Sequence, residues 1–437
     1  MNNIKRKLHL GKIIITNDGE PIFNGAVLVE NSRIVQVGKK EDFGISFSTD
    51  EIINHRDVLI CPGFINLHTH LLYSNFNQIN QIKSEKGLFP WLEKLVDKTS
   101  NLKEEDYKKS VNCGISQALS TGTTFIVENT PDNISIQELS KSPLKALIGL
   151  EVFGSDEEQS EEIFQSAILN FQFLILNSQL EFTLSPHAPY DVSKTLWEKI
   201  KEWSDHYKKP ILTHLEESKE EKLWWQKKSG PAIDFWRKIN KLEPKLKYWK
   251  KYSSGIDFLE SNDLLVENII ATHLCQATKD DLIKLKKKNI KLVHSPRSNY
   301  YLNNGTANLK LWTELGFLWG VGTDSNASNE NLDLLEESRF MIKEQNMIYD
   351  FNISSKEAFC AITSKSAKIL NKESEIGSLK KGCFADFLIY SLNNKSLCTY
   401  QEPYNLLISD VDNKKDLKEV WISGQRAWIA EHLLHKI

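Results

Sequence analysis

Long apolar runs are missing from this sequence. No stretch reaches the roughly 18 uninterrupted apolar residues that mark a membrane-spanning helix, so no membrane span is expected. A charge excess is missing too: 55 Lys and Arg stand against 58 Asp and Glu, for a formal net charge of -3. Without concentrated cationic side chains, a dedicated binder of nucleic acid or of an anionic membrane is disfavoured. Cysteine is sparse. Cys61, Cys113, Cys275, Cys360, Cys383 and Cys398 follow no short repeating spacing, which argues against a disulfide framework or a zinc ribbon. The N-terminal stretch MNNIKRKLHLGKIIITNDGE has no long apolar segment followed by a small-residue cleavage site, and the expected location is the cytoplasm. Arg is scarce beside Lys and Asn, which reads as genome bias rather than as a functional surface.

What is present is length and rhythm. The 437 residues suffice for a barrel of about 250 to 300 residues with a smaller accessory layer. Short β-branched runs separated by turns occupy the first 60 residues (KIIIT, then GAVLVENSRIVQVG) and return near the end in GSLKKGCFADFLIYSL and LKEVWISGQRAWI. This shared texture suggests that the two termini build one antiparallel domain. Between them TTFIVE, KALIGLEVF, FQFLIL or EFTLSPH, PILTHLEE, IIATHLC, IKLVHSP and LWGVGTDSN alternate with helical stretches rich in Leu, Lys and Glu. Strand, loop and helix in that order favour an α/β fold with a parallel β/α barrel. A doubly wound sheet is the alternative, without a glycine fingerprint for a dinucleotide to support it. The expected division is residues 1–60 and 375–437 for the terminal domain and 61–374 for the barrel. Residues 219–265 are rich in Lys, Glu and Trp. Their charge pattern reads as solvated helix faces, while Trp224, Trp225, Phe235 and Trp236 could instead form part of a ligand lid.

The chemistry concentrates where apolar runs end. In LICPGFINLHTHLLY, alternation along an extended backbone puts His68 and His70 on one side and Thr69 on the other. Such a pair either grips a borderline metal ion or is hydrogen-bonded near a buried strand end. His214 closes PILTH, His273 closes IIATH and Asp324 closes LWGVGTD. A barrel collects the C-terminal ends of its strands at one mouth, so these distant residues can meet His68 and His70 around a ligand. Glu217 lies three positions after His214, a spacing that shares a face if the loop starts a helical turn; Glu216 is its rival, with a surface charge as the plain reading. A carboxylate beside activated water can accept a proton and pass it to a substrate nitrogen. His187, between Pro186 and Pro189, either faces substrate or shapes a loop. Arg297 either meets a substrate hydroxyl or carboxylate or pairs internally, and Asn299 can both donate and accept. The Ser and Asn residues beyond Asp324 read as helix caps.

The ordered set PGFINLHTH, SPHAPY, HLEES, THLCQA, HSPRSN, GTDSNASN and IGSLKKGCFADFLIY resembles the amidohydrolase superfamily, in its cyclic-nucleobase and adenosine-type deaminase branch, over nearly the whole chain. The resemblance implies a (β/α)8 TIM barrel with a small β-sandwich formed by both termini. It also implies one divalent metal ion, zinc or in some relatives iron, held by His68, His70, His214 and Asp324. It gives proton transfer to Glu217 and a bond to the hydrolytic water or substrate to His273; in the reaction expected here Asp324 and His273 orient the water. His187, Arg297, Asn299 and Trp91 are the expected substrate-binding residues. LFPWLEKLV, LKALIGLEVFGS, HSPRSNYYLNNG and GTDSNASNENLDLLEESR look most like aminodeoxyfutalosine deaminases, which would make the reaction 6-amino-6-deoxyfutalosine to futalosine plus ammonia in menaquinone biosynthesis. Deaminases of S-adenosylhomocysteine or methylthioadenosine, cyclic-amide hydrolases and chlorohydrolases are the enzymatic alternatives. A metal- or nucleoside-binding protein without turnover is the other. The expected partner is a small-molecule nucleoside, with neither nucleic acid nor membrane, and a homodimer is left open.

Overall fold

The computed structural model describes residues 5–43, 51–76, 87–177, 180–238, 251–392 and 402–431. Eight parallel strands form the barrel: β6 (Phe64–Thr69), β7 (Thr123–Thr130), β8 (Lys145–Val152), β9 (Glu181–Pro186), β10 (Ile211–Leu215), β11 (Ile269–His273), β12 (Lys291–His294) and β13 (Trp319–Val321). They pair in two four-stranded runs, β6 to β9 and β10 to β13. The runs meet at two seams. At one, the His214 amide donates to the His187 carbonyl at 2.9 Å; at the other, the Thr323 and Asp324 amides donate to the His68 carbonyl at 3.1 and 2.9 Å. The alternating apolar positions of these strands point inward. Ile65, Leu67, Phe125, Val127, Leu147, Leu212, Ile270 and Val293 fill the interior as one buried cluster, so the barrel is a packed core beneath its mouth. At the second seam β13 approaches β6 so closely that a Cβ on Gly322 would stand 2.6 Å from the His68 Cβ and 2.7 Å from its amide nitrogen. Only glycine fits there.

The terminal segments form a second sheet in the order β16-β15-β14-β5-β1-β2-β3, with β4 paired to β1. Its strands are β1 (Arg6–Ile14), β2 (Ile22–Glu30), β3 (Arg33–Lys39), β4 (Glu51–Asn54), β5 (Val58–Pro62), β14 (Phe387–Ser391), β15 (Leu417–Ile422) and β16 (Gln425–Ile429). The two ends of the chain join where β14 runs antiparallel to β5, from Phe387 opposite Pro62 to Ser391 opposite Val58. The sheet is mixed rather than purely antiparallel, because β4 and β5 lie parallel to β1. Alternation within a strand is the same in either case, so the direction of pairing left no trace in the pattern. FQFLIL is not a strand but part of the helix Ser160–Asn177, and EFTLSP supplies β9. No helix among the described residues is long and apolar enough to cross a membrane.

One buried histidine in this sheet carries a pH consequence. His9 on β1 packs edge-to-face against the stacked rings of Phe387 and Trp421, with its Nδ1 3.1 Å from His55 Nε2 and its own Nε2 buried without a hydrogen-bond partner. Burial, reinforced by His55 and Lys7, pushes its pKa down to about 3. Above pH ~6.5 the ring is neutral in folded and unfolded chains alike and contributes no slope. Below that value the unfolded chain takes the proton and the folded one does not, so stability falls as pH drops from about 6.5 toward 3, by about 1.4 kcal/mol per unit. Between pH 6.5 and pH 5 the unfolding free energy from urea titration should therefore fall by about 2 kcal/mol more in wild type than in H9L. Parallel acid dependence of the two proteins would refute this.

Candidate metal centre and active site

Two imidazoles define the centre. The Nδ1–H of His70 donates to the Asn129 carbonyl at 3.1 Å, and that of His214 to the His187 carbonyl at 2.9 Å. A carbonyl can only accept, so both rings are fixed as Nδ1–H tautomers with lone pairs on Nε2. Those two Nε2 atoms face each other at 3.3 Å. Two lone pairs repel at that separation unless a cation lies between them, and two nitrogens bound to one tetrahedral zinc at its usual bond length stand about 3.3 Å apart. His68 presents a third nitrogen. The Asn129 side-chain amide lies 3.0 Å from its Nδ1, and its Nε2 is buried with no hydrogen-bond partner. Asp324 Oδ1 completes the set, 3.9 Å from His68 Nε2 and 3.8 Å from His70 Nε2.

These donors form a single divalent-metal site of the kind zinc prefers. One ligand atom each from His68, His70 and His214 lies within 4.8 Å of the others, as does one each from His68, His273 and Asp324. Glu151, His187 and His214 make a third such group. It shares His214, both of whose nitrogens are already committed, so the described residues provide one centre. Burial and the neighbouring imidazoles hold His68 and His214 well below the usual histidine range, neutral as ligands must be. Burial would raise the Asp324 carboxyl, but His70, His68 and His273, with a hydrogen bond from Ser298, bring it down to about 2. The Ser298 and Ser328 hydroxyls donate to its Oδ2 at 2.6 and 2.9 Å. Ser328 and Ser325 therefore serve Asp324, and the cap of the following helix, Leu334–Tyr349, is Asp333.

The barrel aims these groups with backbone that ordinary residues avoid. Glu216, His273 and Asp324 have φ of 49°, 80° and 61° at the ends of their strands, a left-handed turn that costs energy and gathers at functional sites. At Glu216 this turn decides between the two rivals. Its carboxylate swings away to accept from the Gly255 amide at 2.8 Å, while Glu217 turns into the cavity. Glu217 lies before the helix Lys219–Lys227, so the turn rather than helical spacing selects it. Its Oε1 accepts from Asn304 Nδ2 at 2.9 Å and stands 3.7 Å from His273 Nε2, and its amide donates to Glu221 at 2.7 Å. Burial pushes the Glu217 carboxyl up, a state suited to exchanging protons. The Nδ1–H of His273 donates to Asn299 Oδ1 at 2.8 Å.

The site opens into a cavity of about 700 Å³. Its lining includes the apolar Trp91, Phe89, Leu95, Phe235 and Trp236, the acidic Glu151, Asp156 and Asp191, and His70, His214, His187, Glu217, His273 and Asp324. His187 bonds Asp191 at 2.7 Å; burial opposes its protonation, yet Asp191, with Glu151 and Glu217, raises it to about 9. Trp91 turns its Nε1–H to the Ala327 carbonyl at 3.1 Å, leaving its ring on the cavity. Two expected substrate contacts are corrected. Arg297 is buried among Glu336, Glu337, Asn331 and Asp333, which take its guanidinium completely, and it does not line the cavity. Asn299 is fully buried behind His273 and holds that ring rather than substrate.

In the aromatic segment, Phe235 and Trp236 line the cavity, whereas Trp224 and Trp225 are core, packed edge-on against each other. Residues 239–250, including Trp249, lie outside the described residues. Sequence reading passed over Glu128, Asn129 and Glu151. Glu128 accepts from the Leu71 amide and from the Thr69 and Ser135 hydroxyls, tying down the strand end that carries His68 and His70; burial lifts its pKa to about 8. The signal was available, since Glu128 ends TTFIVE and Glu151 ends the apolar part of KALIGLEVF, as the recognised residues end theirs.

The profile of the Amidohydrolase family matches residues 59–427. A 5'-deoxyadenosine deaminase of Methanobrevibacter smithii is 26% identical over 386 residues, covering 85% of this chain and 81% of its own. A 5-methylthioadenosine/S-adenosylhomocysteine deaminase of Thermococcus sibiricus is 26% identical over 425 residues, covering 94% and 91%. Among solved structures, the aminofutalosine deaminase of Helicobacter pylori in complex with methylthio-coformycin superposes with a TM-score of 0.79 at 22% identity, covering 96% of this chain and 99% of that one.

Proposed function

Starting from the premise that the chain belongs to the amidohydrolase family, we propose that its metal-dependent site hydrolytically deaminates the adenine ring of a nucleoside altered at the 5' position. The observation that carries this reading is the pair of facing Nε2 lone pairs at 3.3 Å beside a buried Glu217 whose pKa is raised. The 26% identity to deaminases of 5'-deoxyadenosine and of 5-methylthioadenosine or S-adenosylhomocysteine supports the substrate class. His68, His70, His214 and Asp324 would hold the divalent cation, whose Lewis acidity would make water a nucleophile near neutral pH. Glu217 takes a proton from that water and delivers one to the ring nitrogen beside the amino-bearing carbon. His273, pinned through Nδ1 by Asn299, turns Nε2 toward the same space. Water oxygen adds to the carbon, Glu217 passes the remaining proton of the new hydroxyl to the amino group, which leaves as ammonia, and a ring carbonyl remains. Trp91, Phe89 and Trp236 offer flat apolar surface to the base, and His187 a hydrogen-bond donor.

The test is a product assay on zinc-loaded protein with 5'-methylthioadenosine, 5'-deoxyadenosine, S-adenosylhomocysteine, aminodeoxyfutalosine, guanine and a chlorotriazine. Stoichiometric ammonia and an inosine-type product from the 5'-modified adenosines are expected, with none from guanine or the triazine. Exclusive turnover of aminodeoxyfutalosine would return the substrate to the finer motif resemblance. Tight nucleoside binding without product from any of them would sink the enzymatic reading.

A further inference from the structure

Asn129 on β7 holds both histidines of the first barrel strand, one with its main chain and one with its side chain. Its carbonyl accepts from His70 Nδ1 at 3.1 Å, and its buried side-chain amide lies 3.0 Å from His68 Nδ1. The other polar atom of that amide lies 3.1 Å from Ser185 Oγ, two strands away on β9. Asn129, Gly149 and Ser185 stand in register across β7, β8 and β9, so the amide reaches Ser185 by crossing over Gly149. A Cβ on Gly149 would come within 2.9 Å of the amide atom that faces Ser185 and within 2.6 Å of Leu212 Cδ1. The bare glycine keeps the crossing open.

Hydrogen counting orients this amide, whose oxygen and nitrogen are told apart by their partners. Ser185 has one hydroxyl proton, and the Leu212 carbonyl, which can only accept, takes it at 3.0 Å. Toward Asn129 the Ser185 oxygen is then an acceptor, so the NH2 group faces Ser185 and the amide oxygen faces His68. An oxygen beside His68 Nδ1 requires that nitrogen to carry the proton, which leaves the lone pair on Nε2. The opposite orientation would put the proton on His68 Nε2, a buried atom with no hydrogen-bond partner. We propose that Ser185 and Asn129 are positioning residues that fix the His68 tautomer, so that its Nε2 is preset as a ligand before a cation arrives. The proposal rests on the metal centre of the deaminase reading above. An imidazole whose second nitrogen is tied to an acceptor keeps both tautomer and orientation, and partners of this kind change metal affinity by about 10- to 100-fold.

Zinc affinity, measured by competition with a chromophoric chelator on wild type, N129L, N129D and S185A, tests this without turnover. N129L keeps the main-chain bond to His70 but removes the acceptor for His68, and its zinc Kd should rise by about 10- to 100-fold. N129D offers an acceptor in either orientation and should stay near wild type. S185A should weaken zinc binding severalfold where Asn129 is present and leave N129D nearly unchanged, because a carboxylate needs no orienting. NMR of metal-free protein with labelled histidine ring nitrogens reads the tautomer itself. The His68 signal, identified by its absence in H68A, should report Nδ1–H in wild type and N129D and move toward Nε2–H in N129L. Zinc held as tightly by N129L as by wild type, an equal S185A loss in both backgrounds, or an Nε2–H His68 in metal-free wild type overturns the proposal and leaves deamination standing. Wild type that binds no zinc overturns both.

Discussion

Replacing Glu217 with glutamine is expected to lower kcat by about 10²- to 10⁴-fold, the usual value of a positioned acid/base, with zinc content and KM little changed. The side chain is held from three directions, by Asn304 on Oε1, by His273 at 3.7 Å and through its own amide by Glu221. Glutamine keeps the length and can still accept from Asn304 through its amide oxygen. What it cannot do is carry a proton from water to the ring. Because burial already pushes the carboxyl up, it takes a proton from water more readily than an exposed glutamate would. Metal analysis and single-turnover ammonia release on the same preparation separate this outcome from misfolding. Wild-type turnover by fully loaded E217Q would remove Glu217 from the chemistry.

His68→Ala should be the most damaging change to metal retention. Loss of a partner that merely orients a ligand costs about 10- to 100-fold in metal affinity, and removing a ligand nitrogen should exceed that range. His68 is 3% exposed and its Nε2 has no alternative partner, so nothing nearby substitutes for it. The variant should lose zinc on dialysis against a weak chelator that leaves wild type loaded, and added zinc should no longer raise its melting temperature. Full zinc occupancy after dialysis would take His68 out of the centre.

The fold was legible because both of its signals are local. Apolar runs ending in a polar residue, repeated along the chain, announce strands that point one end at a common mouth, and the texture of the termini announces their shared sheet. Depth was harder to read. Arg297 and Asn299 lie only a few residues before Leu302, which lines the cavity, yet they are buried behind it, and spacing along one chain carries no information about which layer a turn will face. Glu217 was selected over Glu216 by helical spacing, but the structure makes the choice by a left-handed residue at Glu216 itself. Trp224 and Trp225 show the opposite limit. A Lys- and Glu-rich stretch concealed two fully buried indoles, because charged neighbours on a short helix cover one face while the other packs inward.

The seam between β6 and β13 gives the centre a mechanical meaning. The first and last barrel strands touch through the His68 carbonyl, at a point where only Gly322 fits, and Asn66 pairs with Thr323 on the other side of it. His68 and Asp324 flank that junction from opposite ends of the barrel's sequence. A cation shared by them therefore acts as a rivet across the longest loop the domain must close, where the entropy of closure is greatest even though it grows only slowly with length. Stripping it should loosen the barrel along one line rather than soften it throughout, and hydrogen exchange in β6 and β13 should quicken before that in β7 or β8.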